Sequence, residues 1–316
     1  MKKITAIVFI AILMLFAISG IFIKHDYDKK EMRTELKLEI KNKSLSDGEL
    51  TKHIEEYINT EKTPFKEEFT KIANQFKKIT GIIEINGVVV SDRLYRIPPK
   101  NPSLEKIAKK MDKAKVFLLP HKIYYADDLR IAEKIKKVKD EYIEYYHQKV
   151  KELNAIDLSP ILNIDDYYIT DHHLNEKGVK KLLEYFGNEE EIIERDHGRF
   201  VGGLYRLTQI NRDEKFISIE TKDKKTFMAE KEFPIYNDEK IKYDSYSYYL
   251  GGNYGLLDIN GSGEKNLTVI KDSFFNPFAP FVAEKYKELR LIDNRFLRGK
   301  IEENLLDGEV WIFYSP

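Results

Sequence analysis

The sequence contains no cysteine and has no excess of charge of either sign. The absence of cysteine excludes disulfides, thiolate zinc sites, iron–sulfur clusters and cysteine nucleophiles together. The 53 Lys and Arg residues equal the 53 Asp and Glu residues, whereas proteins that bind nucleic acid normally carry a basic excess. We therefore expect no nucleic-acid partner, and covalent catalysis in this chain would depend on an oxygen nucleophile.

Long hydrophobic runs are absent from most of the chain, with one exception near its start. Residues 4–23 read ITAIVFIAILMLFAISGIFI and carry no charged side chain. Twenty helical residues span ~30 Å, which matches the hydrocarbon core of a bilayer. Lys2 and Lys3 precede the run, and the residues that follow it are nearly neutral in sum. This asymmetry predicts a transmembrane signal anchor with residues 1–3 in the cytoplasm and the rest of the chain outside.

A cleaved signal peptide is the alternative to an anchor. Ala17 and Ser19 could occupy the small positions of a cleavage site. Cleavage there would leave Ile21, Phe22 and Ile23 exposed at the new terminus. The run is also longer than the apolar core of a usual signal peptide, so we favour an uncleaved anchor.

The rest of the chain divides into a charged segment and a larger α/β domain. Residues 24–62 are predicted to form a stalk and an amphipathic helix, and residues 63–316 the domain. Short apolar strands alternate with helical segments late in the chain, which indicates a mainly parallel sheet covered on both faces. The latest of these predicted strands are 267–270, 289–292 and 310–314.

Two other segments predict β-structure of a different kind. Asn86-Gly87 separates two short apolar runs and predicts a hairpin with a two-residue turn. Between about residues 199 and 249, strand-like runs that begin with FVGGLYRL predict a β-rich insertion in the domain.

The segment YYITDHHLNEKGV, residues 167–179, combines a carboxylate with two imidazoles. On an extended segment, Asp171 and His173 would point the same way and His172 the opposite way. Asp171 could then accept the Nδ1 proton of His173 and leave the other ring nitrogen facing a substrate. Asn175 is predicted to cap the helix that follows. The alternative is that these side chains only satisfy backbone groups before that helix.

A serine follows a predicted strand in the later segment KNLTVIKDSFFNPFAP. Ser273 stands between the end of that strand and a helix start, where functional groups concentrate in open α/β sheets. Backbone N–H groups at such a position can stabilise an oxyanion. Ser273 as nucleophile, His173 as general base and Asp171 as the residue that orients the base would suit acyl transfer. An ordinary turn serine is the alternative.

Together these segments resemble the bacterial DHHW proteins. YYITDHHLNEKGV resembles their signature, VIKDSFFNPFAPFVAEKY and YYLGGNYGLLDI resemble their C-terminal blocks, and IEEYINTEKTPFKEEF extends the resemblance toward the anchor. The blocks are similar in logic to the alginate O-acetyltransferase branch of the SGNH hydrolase superfamily, in which an Asp-x-His pair precedes a nucleophilic serine. The resemblance implies an SGNH-like three-layer α/β fold. Leu174 departs from the usual Trp of the signature, and Lys271 stands where many SGNH proteins have Gly.

The resemblance also suggests oxyanion donors and substrate contacts. In SGNH proteins a glycine N–H and an asparagine amide join the serine N–H, which here suggests Gly252 and Asn253 in YYLGGNYG. A plain Gly-Gly-Asn turn is the alternative. Arg295 could bind an anionic substrate group or pair with a nearby carboxylate. The candidate substrate-binding residues are Arg295, Tyr254 and His172.

The DHH run allows a second enzyme class, a metal-dependent phosphoesterase with Asp171, His172 and His173 as ligands. Such sites need further carboxylates from other motifs, and the acids at the predicted strand ends do not form a convincing set. His121 is interpreted as a surface or loop residue. We therefore predict no metal and no cofactor.

The sequence thus predicts a membrane-anchored, extracytoplasmic serine acyltransferase or esterase that acts on a cell-envelope polysaccharide. Acyl transfer to a sugar and acyl removal by water both fit an acyl-serine intermediate. A membrane protein that supplies acyl groups is a candidate partner. The alternative is a non-catalytic domain that binds an envelope glycan or protein.

Overall fold

The computed structural model describes most of the predicted α/β domain. The described residues are 84–96, 102–126, 133–188, 191–200, 202–208, 210, 212–222, 226–228, 232–234, 236–238, 245–297 and 299–316. The predicted anchor at 4–23 and the predicted stalk at 24–62 lie outside them. Within the described part of the chain, no helix is long and apolar enough to cross a membrane.

Strands and α-helices are interspersed along the described residues. The strands are β1 (Glu84–Ile85), β2 (Val88–Val90), β3 (Leu94–Arg96), β4 (Lys115–Leu118), β5 (Ile156–Asp157), β6 (Ile192–Arg199), β7 (Lys215–Thr221), β8 (Thr226–Met228), β9 (Glu232–Pro234), β10 (Leu256–Asn260), β11 (Asn266–Lys271), β12 (Glu288–Ile292) and β13 (Glu309–Tyr314). The α-helices are α1 (Pro102–Ala108), α2 (Glu133–Glu152), α3 (Glu176–Tyr185), α4 (Gly203–Thr208) and α5 (Ala279–Glu284).

The largest sheet has the strand order β5-β4-β13-β11-β12-β10-β8-β9. Its first five strands pair in parallel, and its last three pair antiparallel. β13 lies between β4 and β11, although it comes last of these in the sequence. The mainly parallel sheet that the sequence predicts is confirmed, and the three late strands match β11, β12 and β13.

Side chains alternate along the parallel strands and give the sheet two buried faces. Leu267 and Phe313 point to one face, where they pack in the core that also contains the buried side chains of α3 and α5. Ile270 and Ile312 point to the other face, which α1 and α2 cover. Strands that are buried on both faces need apolar side chains on both, which explains their continuous apolar runs. The result is a three-layer arrangement of helices, sheet and helices.

The predicted β-rich insertion contains strands, but its first predicted strand is wrong. Strand β7 lies within the insertion and pairs antiparallel with β6, which ends where the insertion begins. The segment FVGGLYRL instead contributes to helix α4. The first N–H groups of a helix need acceptors from outside it. Thr170 O accepts from Leu204 N at 3.0 Å and from Tyr205 N at 3.3 Å, and Asp171 Oδ2 accepts from Gly203 N at 2.6 Å. These distant acceptors favour the helix over the local strand preference.

The carboxyl ends of the parallel strands meet at one edge of the sheet. β4 ends shortly before His121 and Lys122, β11 ends just before Asp272-Ser273, and β12 ends before Asp293. The small β1–β2–β3 sheet begins with the predicted hairpin, in which Asn86 and Gly87 have φ +50° and +72°. In open α/β sheets, functional groups concentrate at the edge where the carboxyl ends of the parallel strands meet. We call this edge of the large sheet its functional edge.

Candidate active site

Asp171, His173 and Ser273 form one chain of hydrogen bonds. Ser273 Oγ lies 2.9 Å from His173 Nε2, and Nδ1 of the same ring lies 2.7 Å from Asp171 Oδ1. All three residues are buried, with Ser273 the most exposed at 9%. A carboxylate at Nδ1 favours a proton there and leaves Nε2 able to accept the serine proton. The structure therefore brings together the three residues that the sequence motifs selected.

The histidine loop, residues 167–174, does not have the extended conformation that the sequence predicts. An antiparallel bridge joins Tyr167 and Leu174 at its base. The backbone N–H of His173 donates to Asp171 Oδ1 at 3.0 Å, and this local bond bends the chain into an Asx-type turn. The predicted orientation of His172 is wrong for the same reason, because its ring lies 3.9 Å from that of His173, centroid to centroid.

Buried Lys122 and partly buried Glu214 hold the histidine loop in place. Lys122 Nζ donates to the carbonyl oxygens of Leu94, Ile169 and Asp171 at 2.8, 2.8 and 3.1 Å. The carboxylate of Glu214 accepts from the backbone N–H groups of Ile169 and Thr170 and from the Thr170 hydroxyl. Burial lowers the pKa of Lys122 to about 7 and raises the pKa of Glu214.

Asp171 is held in its charged form. Burial by itself would raise the pKa of Asp171. Attraction to His173 and His172, together with hydrogen bonds from His173 and the Gly203 N–H, outweighs burial and keeps the pKa well below its usual range. The carboxylate can therefore orient His173 and stabilise positive charge on its ring.

Ser273 is presented by a turn that Asp272 caps. Asp272 Oδ1 accepts from Phe274 N at 2.9 Å, and its Oδ2 accepts from Ser315 N at 2.9 Å. Ser273 is the first residue of a 3-10 turn that ends at Phe275. The N–H of a first helical residue has no acceptor within its own helix, so that of Ser273 is a candidate oxyanion donor.

The segment that carries the predicted oxyanion donors has an unusual backbone. Leu250, Gly251 and Gly252 have φ values of +63°, +65° and +135° in succession. The left-handed conformation is unfavourable for Leu250 by ~1–2 kcal/mol, and such strain is often found at functional sites. Asn253 Oδ1 accepts from Asn276 Nδ2 at 3.2 Å. Asn253 therefore contacts the turn that begins with Ser273.

The three predicted substrate-binding residues have different surroundings. His172 is partly exposed beside His173, and burial is the main cause of its lowered pKa. The Arg295 guanidinium binds the buried Asp293 through both carboxylate oxygens, at 2.9 and 2.6 Å. Tyr254 is half-buried and packs against the main core. Arg295 thus has the carboxylate partner that was the alternative to a substrate role.

The sequence suggested Tyr246 only as one of several tyrosines that could stack on a sugar, not as a neighbour of the proposed base, and it placed His121 on the surface or in a loop. The ring of Tyr246 stacks on His173 with centroids 4.0 Å apart and planes 16° apart, and its hydroxyl donates to Leu174 O at 2.9 Å. His121 is only 3% exposed and stacks on His172 at 5.8 Å. Its position three residues after the end of β4 was the available signal, because that places it near the edge where the carboxyl ends of the parallel strands meet.

Among the described residues, Asp171, His172 and His173 also satisfy the distance condition for a group of metal ligands, with candidate atoms within 4.8 Å of one another. Each ring nitrogen of His173 already lies at hydrogen-bonding distance from Asp171 or Ser273. Both oxygens of Asp171 accept backbone N–H groups. The geometry therefore fits a proton-transfer chain better than a set of metal ligands.

Comparison with solved structures shows what the fold resembles. A DHHW family protein from Eubacterium siraeum aligns with a TM-score of 0.55 and 19% identity, over 73% of this chain and 92% of that one. Two structures of Bacillus cereus PatB1, the first with a sulfonyl adduct, each align with a TM-score of 0.49, at 17% and 18% identity, over 72% of this chain and 94% and 95% of theirs. No protein-family model and no curated protein matches the sequence. The resemblance to the DHHW proteins is thus confirmed at the level of the fold.

Proposed function

We propose that this protein is a serine acyltransferase or esterase that acts on a cell-envelope polysaccharide outside the cytoplasm. One observation carries the proposal, namely the hydrogen-bonded chain from Asp171 through His173 to Ser273 at the functional edge of the sheet. A buried serine at hydrogen-bonding distance from an oriented imidazole is the arrangement that nucleophilic catalysis of acyl transfer requires.

In the first step, His173 Nε2 accepts the hydroxyl proton of Ser273 while Oγ bonds to the acyl carbonyl carbon. The carbonyl oxygen takes the π electron pair and becomes an oxyanion, which the N–H of Ser273 and the amide of Asn253 would stabilise. Collapse of this intermediate breaks the bond to the leaving sugar oxygen, which takes the proton from His173. The products are an acyl-Ser273 ester and a free hydroxyl.

In the second step, a water molecule or a sugar hydroxyl gives its proton to His173 Nε2 and attacks the acyl-Ser273 carbonyl. Ser273 then leaves and recovers the proton from the imidazole. Water gives a free carboxylic acid, and a sugar hydroxyl gives an O-acylated glycan. In both steps the ring is transiently positive, and the charged form of Asp171 stabilises it.

The proposed location depends on residues 4–23. Their uncharged apolar run and the preceding Lys2 and Lys3 support a signal anchor with the catalytic domain outside the membrane. This location would bring Ser273 to envelope glycans and to a membrane protein that donates acyl groups. Deletion of residues 4–23 should release the protein from the membrane fraction, and a protein that stays in the membrane fraction would contradict the anchor.

Labelling with a fluorophosphonate tests the nucleophile. The full chain should be labelled at Ser273, Ser273→Ala should abolish labelling, and Ser262→Ala should preserve it, because Ser262 is exposed in a turn. A folded wild-type protein that is not labelled would contradict the proposal. Acetate release from an acetylated polysaccharide, measured with and without an unacetylated glycan acceptor, then separates transferase from esterase.

A further inference from the structure

Lys271 is a buried cation that the proposed mechanism does not use. It is the last residue of β11 and is 1% exposed. Its ammonium group donates to Asn276 Oδ1 and lies 4.0 Å from Asp293 Oδ2. Burial lowers the pKa of Lys271 to about 8, and attraction to Asp293 opposes that shift. Burying a charged group costs free energy, so we asked what Lys271 contributes to the site.

The contact with Lys271 determines which way the Asn276 amide faces. An ammonium group can only donate hydrogen bonds, so the end of the Asn276 amide that faces it must be the oxygen. The NH2 end of Asn276 therefore faces Asn253, and it donates to Asn253 Oδ1 at 3.2 Å. Asn276 is fully buried, so no solvent competes for either end.

The same reasoning extends to the Asn253 amide. Because its oxygen accepts from Asn276, its NH2 group is the end left to donate elsewhere. A chain of hydrogen bonds that starts at a cation also polarises each amide along it and strengthens the last donor. Without the cation, each of the two amides could turn over and exchange its donor and acceptor ends.

We propose that Lys271 is a positioning residue that acts through Asn276 to make the Asn253 NH2 group the donor to the oxyanion formed at Ser273. This inference rests on the proposed acyl transfer. It also gives a role to the residue at which this sequence departs from the glycine of many SGNH proteins.

Lys271→Met removes the cation and keeps an unbranched apolar side chain of similar length. Asp293 remains paired with Arg295 in this variant. We expect kcat for ester hydrolysis and the rate of fluorophosphonate labelling to fall by ~10–30-fold, with KM changed less than ~3-fold, because an oxyanion donor acts mainly in the transition state.

Asn276→Asp is a second variant that keeps the shape of the side chain and its contact with Lys271. A carboxylate has no donor end, so Asn253 must turn its NH2 group toward it and present oxygen to the oxyanion. We expect kcat of Asn276→Asp to fall at least as far as that of Lys271→Met. Asn294→Asp adds the same charge on the loop after β12, where the Asn294 amide contacts Ser103, and should retain near-wild-type kcat.

A double-mutant cycle separates this role from general structural damage. Asn253→Ala should lower kcat by ~100-fold. Adding Lys271→Met to that variant should lower kcat little further, because both changes remove the same donor, the Asn253 NH2 group. If the loss of kcat in the double variant equalled the product of the two single losses, the inference would be overturned and the proposed function would remain intact. A wild-type protein that is not labelled at Ser273 would instead overturn both.

Discussion

Replacing Asp171 by Asn tests how far the proposed catalysis depends on one carboxylate. Asp171 Oδ1 accepts from the ring Nδ1 and from the backbone N–H of His173, and Oδ2 accepts from the N–H of Gly203. An asparagine side chain offers only one acceptor atom. If the amide NH2 group takes the place of Oδ2, it meets the N–H of Gly203. If it takes the place of Oδ1, it meets the backbone N–H of His173, and the ring Nδ1 must then accept a hydrogen bond, which puts the ring proton on Nε2 and prevents Nε2 from accepting the serine proton.

The expected loss follows from the charge as well as from the tautomer. With Nδ1 and Oδ1 2.7 Å apart, the two charges are centred ~4 Å apart, and at an effective dielectric constant of ~20 they attract by ~4 kcal/mol. This attraction exists only while His173 is protonated, so it stabilises the transition state and not the bound substrate. We expect Asp171→Asn to lower kcat by ~10³-fold, or ~10⁴-fold with tautomer inversion, and to leave KM nearly unchanged.

Steady-state hydrolysis of 4-nitrophenyl acetate by the full chain measures this effect. Asp196→Asn is the matched control, because Asp196 also precedes a histidine but is exposed and pairs with Lys215. Urea denaturation of each variant shows whether the fold is retained. If Asp171→Asn kept kcat within ~10-fold of wild type while Ser273→Ala was inactive, the role assigned to the carboxylate would be refuted.

Asp171→Asn should also change how the free energy of unfolding depends on pH. The folded pKa of Asp171 lies below its usual range, whereas the unfolded value is ~3.9. The stability contributed by the carboxylate is therefore fully present above that unfolded value and is lost as the pH falls through the folded one. The difference in unfolding free energy between wild type and Asp171→Asn should shrink as the pH falls below 4. A difference that grows below pH 4 would contradict the assignment.

Three further predictions test the surroundings of the triad. Tyr246→Leu removes the ring stacked on His173 and should lower kcat by ~5-fold, since a cation–π contact is worth ~1 kcal/mol. Tyr246→Phe keeps the ring and should keep most of the activity. If both variants lost the same fraction of kcat, the stacking role would be contradicted. Lys122→Met removes the ammonium donor that three carbonyl groups share and should lower the unfolding free energy in urea by ~2–4 kcal/mol. An unchanged urea midpoint would contradict this. Gly202→Ala would bring a Cβ to 2.5 Å from Thr170 O and should lower esterase activity at least ~10-fold. Gly187→Ala places a Cβ in open space at φ +66°, so it should cost ~1 kcal/mol of stability and retain the activity.

The triad residues could be predicted because their signals are local. Ser273 follows a short apolar run that indicates a buried strand, and the spacing of Asp171 and His173 allows one side chain to reach the other. The cap at Asn175 was equally accessible from sequence, and its side chain accepts from the N–H groups of Lys177 and Gly178. Each of these features depends on residues within a few positions of one another.

The rest of the site could not be predicted because its contacts join distant segments. Tyr246 lies near the end of the predicted insertion, long after His173 in the sequence. Lys122 comes before the histidine loop in the sequence, and Glu214 comes after it. Helix α4 forms where the sequence favours a strand, because acceptors at Thr170 and Asp171 lie at its amino end. Local propensity contains no information about such partners.

The position of β13 between β4 and β11 has a consequence for the order of folding. β4 is followed by Lys122, which holds the histidine loop, and β11 is followed by Ser273. β4 and β11 do not pair with each other, because β13 lies between them and pairs with both. Joining β4 to β13 closes a loop of almost two hundred residues, which is entropically slow. We therefore expect enzymatic competence to emerge in the last kinetic phase of refolding, after most helical content has been regained.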